Sequence, residues 1–214
     1  MANKLAVKKV SRKAEIREEN TLHIISVAEK VFAEKGFGGA TTQEIADRAG
    51  LPKANIYYYF PSKEDLYLAV LQDTLEIWKH DADIFDQYED AKTTLSAYIE
   101  RKLDHSFLRP YASKVWANEM IQGAPVLSEH IRKDLIIWTR RKTKQIKHWI
   151  DKGEILPVDP QNLLYMIWAT TQHYADFSYQ IKVLNGNKVL NPVQRKAVLR
   201  DVNNIILRGL GIEL

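Results

Sequence analysis

Residues 41–63 read TTQEIADRAGLPKANIYYYFPSK, two short helices joined by a tight turn. Thr41 followed three residues on by Glu44 has the form of a capping box and predicts a helix over 42–49, closed by Gly50. A second helix, Lys53 to Tyr59, is expected directly after Gly50, Leu51 and Pro52. Pro61 and Ser62 then interrupt the chain, and Ser62 is a suitable N-cap for a long helix through Leu66, Val70, Leu75 and Trp78. Two helices so joined make a helix-turn-helix. Ile45 and Ala46 point inward, small Ala49 and Gly50 let the second helix approach steeply, and Leu51 and Ile56 anchor it. The outward face carries Lys53, Ala54, Asn55, Tyr57 and Tyr58, side chains that reach base edges or phosphates in a major groove. Thr42 and Gln43 open the first short helix, where free backbone N–H groups favour phosphate, and Lys63 in the first turn of the long helix is similarly suited. Such a hairpin also occurs as plain bundle packing. Three consecutive tyrosines beside an exposed Lys and Asn argue for DNA instead.

Outward from this stretch, composition narrows the class. The 214 residues are 45% hydrophobic and 27% charged, which excludes wholesale disorder and leaves ample length for a core. Cysteine is absent, so thiol nucleophiles, thiolate metal sites and disulfides are excluded. No apolar run approaches a membrane span, and the basic stretch Met1 to Arg17 lacks the apolar core of a signal peptide, so a cytoplasmic protein is expected. The net charge of +4 is unevenly placed. Lys4, Lys8, Lys9, Arg12, Lys13 and Arg17 face only Glu15 near the N-terminus, and Arg140, Arg141, Lys142, Lys144, Lys147 and Lys152 form a second basic stretch. A basic arm over 1–18 suits nucleic acid, although a solvated tail has the same composition.

The remainder reads as helices with no period-two alternation. Ile24, Ile25, Ala28, Val31 and Phe32 trace a first helix ended by Gly36. Beyond residue 88, apolar stripes mark helices around Leu95–Leu103, Val115–Ile121, Leu127–Trp149, 160–178 and 191–210. The reading is an all-α protein of about nine helices. It divides into a basic arm (1–18), a helix-turn-helix domain (19–65) and a larger helical bundle (66–214) for ligand binding and dimerisation.

The segment Thr42, Ile45-Ala46, Ala49-Gly50, Tyr58-Tyr59-Phe60 and Lys63-Glu64-Asp65-Leu66, with the upstream Ala28-Glu29-Lys30-Val31-Phe32-Ala33-Glu34-Lys35-Gly36-Phe37, closely resembles the helix-turn-helix of the TetR family of bacterial regulators. That resemblance implies a homodimeric regulator, usually a repressor, released from a palindromic operator by a small ligand. No cofactor, metal or catalytic residue is expected. The resemblance also places the dimer interface on the last two long helices, where Leu164, Ile167, Val198, Val202 and Ile205 suit core or interface alike.

The helix over Tyr165–Phe177 is unusually polar and aromatic. Trp168 and Gln172 lie four apart on one face, with Asp176 one turn further. Indole stacks on a flat ring while a primary amide donates and accepts, a fitting pair for a planar heterocycle, although a core Trp with a locally satisfied Gln gives the same spacing. The blocks IWATTQHYADF, Asp159-Pro160-Gln161, Glu119-Met120 and Gly123-Ala124-Pro125 resemble the pyrimidine-utilisation branch of the family, controlled by uracil or thymine. On that resemblance Trp78, Trp168 and Gln172 fall at ligand positions. Ser96 stands where that branch is expected to present a lysine to the ligand, which leaves a different heterocycle open.

An enzyme is the rival class. Histidines 23, 80, 105, 130, 148 and 173 share no metal-ligand spacing on a helix face, and Gly36, Gly38 and Gly39 follow no strand, so they form no dinucleotide fingerprint. His173 with Asp176 reads as a local helical pair. Arg140 to Lys152 is amphipathic through Ile146, Trp149 and Ile150, which suits a membrane surface or, more ordinarily, a helix packed on a core.

Overall fold

A computed structural model describes residues 12–87 and 89–213; residues 1–11 of the expected basic arm lie outside them. The described residues form ten α-helices and one 3-10 turn, with no strand among them. They group into two compact units, Met1–Val70 and Leu71–Leu214.

The first unit contains α1 (Arg12–Gly39), α2 (Thr42–Ala49), α3 (Lys53–Tyr59) and the opening turns of α4 (Lys63–Asp81). Helix α1 already starts at Arg12, so residues 12–18 of the proposed arm are helical. Its core stripe is the predicted one: Ile24, Ile25, Ala28, Val31 and Phe32 are buried. Gly36 breaks the helix at φ 69°, ψ 172°, a backbone state open to glycine at little cost. The Thr41 hydroxyl accepts the Glu44 N–H at 3.1 Å. The other half of the expected capping box is diverted, because the Glu44 carboxylate pairs with Lys35 at 2.8 Å and Arg48 at 2.7 Å. These two cations hold that carboxyl below its ordinary range, Lys35 contributing most. Gly50 takes the left-handed conformation at φ 66°, ψ 29°, and the Leu51 N–H bonds the Ala46 carbonyl at 3.0 Å, which turns the chain into α3. Ile45, Ala46 and Ile56 are fully buried, as their spacing requires.

The second unit comprises the rest of α4, a 3-10 turn (Ala82–Asp86), α5 (Ala91–Leu108), α6 (Pro110–Ile121), α7 (Glu129–Asp151), α8 (Pro160–Asp176), α9 (Ser178–Leu184) and α10 (Pro192–Gly209). Asp90, Ser128, Asp159 and Asn191 cap the N-termini of α5, α7, α8 and α10 through their side chains. Leu95, Tyr98, Ile99 and Leu103 of α5 share a core with Ile146 and Trp149 of α7, Leu164 and Ile167 of α8, and Val202, Ile206 and Leu207 of α10. The expected helix over 160–178 ends instead at Asp176. Phe177 leaves helical geometry at φ −104°, ψ 25°, and α9 begins as a separate helix. No glycine or proline marks that break, which explains the count of nine from sequence. The amphipathic face of 140–152 is spent inward: Ile146 and Trp149 are core, and the Trp149 indole N–H donates to the Glu89 carbonyl at 3.1 Å. No described helix is long and apolar enough to cross a membrane.

Candidate DNA-reading face and effector cavity

In the first unit, α3 presents Lys53, Ala54 and Asn55 to solvent in its first turn, with Tyr58 65% exposed behind them. The three tyrosines divide into three roles. Tyr58 faces outward with the Arg17 guanidinium 5.7 Å from its ring centroid. Tyr59 leans back and its hydroxyl accepts from Asn20 at 3.1 Å. Tyr57 is half-exposed, lies beneath the Lys53 ammonium at 5.9 Å, and hydrogen-bonds the Thr42 hydroxyl at 3.1 Å. That bond ties α2 to α3, so Thr42, buried, braces α3 instead of reaching outward. The Gln43 amide donates to Asp47 at 2.8 Å along the exposed face of α2.

Lys63 differs from expectation. Its ammonium donates to the carbonyls of Phe37 at 2.8 Å and Ala40 at 3.1 Å and sits 4.5 Å from the Phe37 ring centroid. It thereby satisfies carbonyls freed where α1 breaks at Gly36, an internal clamp that sequence spacing assigned to phosphate.

In the second unit, Trp78 of α4 and Gln172 of α8 line one cavity with Thr74, Ile77, His105, Ser106, Arg109, Ala112 and Ser113. Residues 94 positions apart in sequence thus meet at one site. Trp116 of α6 packs its ring edge-on to Trp78 at 5.3 Å. Asp176 stands one turn beyond Gln172, where its carboxylate accepts from the Ser113 hydroxyl at 2.6 Å. Burial pushes the Asp176 carboxyl above its ordinary range, against the Ser113 bond and the charge of Lys102.

Two expected ligand residues lie elsewhere. Trp168 stacks on Trp138 at 5.7 Å and donates its indole N–H to the Tyr98 hydroxyl at 2.8 Å. It borders a separate groove with Ile136, Thr139 and Tyr165. The i, i+4 spacing puts it on the side of Gln172, but α7 supplies a flat aromatic partner that captures the ring. Ser96 lies on α5 half-buried and does not line the Trp78 cavity.

A buried lysine stands on the same helix six residues beyond Ser96. Lys102 is 3% exposed, with its ammonium 4.0 Å from the Trp78 ring centroid. Desolvation lowers it to about 7, and the charges of Asp81 and Asp176 oppose that shift. The Asp81 carboxylate is itself bonded to His105 Nε2 at 2.9 Å, with its second oxygen buried and without a hydrogen-bond partner among the described residues. A signal for Lys102 was present in the chain. Positions 95, 98, 99, 102, 103 and 106 form one helical stripe, Leu, Tyr, Ile, Lys, Leu and Ser, and a charge on that stripe must be buried.

Comparison with known proteins follows the same division. Residues 24–70 match the family model for bacterial regulatory proteins of the tetR family, and residues 71–213 match that for the YcdC-like protein C-terminal region, so the two matches divide at the same residue as the two compact units. The HTH-type transcriptional regulator RutR of Escherichia coli (strain K12) is 37% identical over 205 residues, 96% of this chain and 97% of its own. The TetR family regulator PfmR from Thermus thermophilus superposes with a TM-score of 0.67 at 21% identity, covering 87% of this chain and 98% of that one. FadR from Bacillus subtilis in complex with stearoyl-CoA gives 0.65 at 22% identity, covering 88% and 98%. These two show likeness of fold. On the C-terminal match over more than half its length, and the RutR likeness along nearly all of it, the chain belongs to the TetR family of bacterial regulators, a DNA-binding, ligand-binding transcriptional regulator and not an enzyme.

Proposed function

We propose that this regulator acts in the cytoplasm as a dimer on a palindromic operator, as a repressor, and that uracil or thymine in the Trp78–Gln172 cavity releases it. The observation that carries the effector reading is the convergence of an indole and a primary amide on one small cavity in a chain 37% identical to RutR. Indole stacks on the flat ring while the amide pairs with its alternating N–H and C=O edge.

Asn55, Ala54 and Tyr58 read bases in this account, while Lys53 and Gln43 meet phosphates. Dimerisation uses the apolar side chains that α8, α9 and α10 leave outward. Leu164, Ile167 and Val202 are core, whereas Ile205 is 73% exposed and accompanies exposed Tyr165, Met166 and Val193. A dimer is also what specificity needs, because one short helix reads too few base pairs. Helix α4 contains both the Lys63 clamp and Trp78, so a ligand preferring one tilt of α4 biases the reading helices with a coupling of about 1–3 kcal/mol.

The test is selection of sheared genomic fragments by the purified protein with and without uracil or thymine. A short palindrome recovered without pyrimidine and lost with it is the expected result. A palindrome indifferent to both pyrimidines overturns the effector assignment and keeps the regulator.

A further inference from the structure

The second unit holds another cavity, which shares only Ser106 with the one that Trp78 and Gln172 line. Three cations from three helices face it: Lys114 of α6, Lys182 of α9 and Arg195 of α10. No acid is among its lining residues, and none of the three has an ion pair among the described residues. Elsewhere in this unit Lys79, Arg109, Arg141, Lys142, Lys147 and Lys152 are each matched by a carboxylate. The acids whose fields reach this wall are engaged with other groups. Asp176, within range of Lys114, accepts from the Ser113 hydroxyl at 2.6 Å, and Asp201, within range of Tyr174, pairs with Arg200 at 2.8 Å. Local electrostatics does not account for the placement either. Lys114 and Arg195 lie in the opening turns of α6 and α10, ends at which the helix dipole favours acids, and neither helix has an acid in its first turn. Of the three, only Lys182, in the last turn of α9, stands where the dipole favours a cation.

Phe107, Tyr111 and Tyr174 give the same cavity aromatic walls. The Arg195 guanidinium lies 5.1 Å from the Phe107 ring centroid, and the Lys114 ammonium 5.6 Å from that of Tyr111. Arg195 Nε donates to the Leu190 carbonyl at 3.1 Å, which leaves its two terminal nitrogens without a hydrogen-bond partner among the described residues. We infer that this cavity is a second ligand site for an organic phosphate monoester, with Lys114, Lys182 and Arg195 holding the phosphate and the three rings packing on a flat organic body. A guanidinium fork and two ammonium groups offer a doubly charged oxyanion many charge-assisted donors, and nothing on the wall repels it. A carboxylate brings less charge and fewer oxygens, and a ring without an anion leaves the three cations unmatched. The site does not depend on what fills the Trp78 cavity, so it stands or falls apart from the uracil reading.

The test is calorimetric titration of the full-length protein with phenyl phosphate, with inorganic phosphate, phenol and benzoate as controls that each lack the ring, the anion or the second charge. Phenyl phosphate should bind saturably and each control at least about 10-fold more weakly. Lys114→Gln and Arg195→Gln should each weaken phenyl phosphate about 10-fold, the loss of one hydrogen bond from a charged group. Neither cation holds an acid, so both variants should melt within a few degrees of native, which separates a lost site from a lost fold. Gln172→Ala, which alters the other cavity, should leave phenyl phosphate binding unchanged. Absence of saturable binding overturns the site, as it would if the dimer covered this wall. Benzoate or inorganic phosphate binding as tightly as phenyl phosphate overturns the ligand class. Binding that survives both cation substitutions, or that Gln172→Ala removes, puts the ligand elsewhere and overturns the inference.

Discussion

The two compact units handle polar groups in opposite ways. In the first, the side chains proposed to meet DNA, Lys53, Asn55 and Tyr58, are exposed and the interior is apolar apart from Glu29 and Thr42. In the second, Asp81, Lys102, Glu119, Lys142 and several hydroxyls are buried. The difference follows from what each surface must recognise. A DNA groove comes to a protruding helix and is read by side chains already in water, so that unit stores little electrostatic cost. A small ligand must be enclosed before its few polar atoms confer selectivity, so an enclosing unit has to keep donors and acceptors dry. Glu119 illustrates the paired form of such burial, accepting the N–H groups of Val126 and Leu127 at 2.7 and 2.8 Å.

The sharpest way to break this contrast is through the core of the first unit. Ile45 is fully buried, and Ile45→Ala should cost about 2–5 kcal/mol. Operator binding in a gel-shift titration should be lost while uracil titration of the second unit stays near native. Loss of both would mean that the units do not act separately. Next in size, Asn55→Ala should weaken operator binding by about 1–3 kcal/mol and relax preference at one base position per half-site, with the melting temperature unchanged.

Stability against pH probes the second unit. The folded-state value for Lys102 of about 7 lies below its ordinary 10.5. Between those values the unfolded chain binds more protons, so native stability should rise with pH through that window; below 7 both states are protonated and the full penalty remains. Lys102→Met should flatten the rise and melt higher than native at pH 7, each kcal/mol recovered moving the midpoint by about 2–4 °C. A melting temperature that falls instead would mean that Lys102 has a structural partner. The smallest expected effect separates two lysines of the DNA-reading region. Lys53→Met should reduce the slope of log affinity against log salt by about 1.8, the release of one counterion per subunit of the dimer. Lys63→Met should leave that slope unchanged and lower thermal stability, because its donors are committed to Phe37 and Ala40.

Sequence alone determined what local rules govern. The Thr41 cap, the Gly50 turn and the inward Ile45 and Ile56 depend on residues at most a few positions apart, so the helix-turn-helix and its outward face were legible, as was the all-α class from helical stripes. Tertiary structure decided where a side chain goes once several long helices compete for it. Trp168 was drawn to Trp138 of α7, Lys63 to the broken end of α1, and Thr42 to Tyr57, none of which spacing along one helix can foresee. The candidate cavity is of the same kind: Trp78, His105, Ser113 and Gln172 stand on four different helices and gather around it only when those helices pack. A helical period says which face a residue occupies, and burial of a neighbouring helix against that face decides what the residue meets.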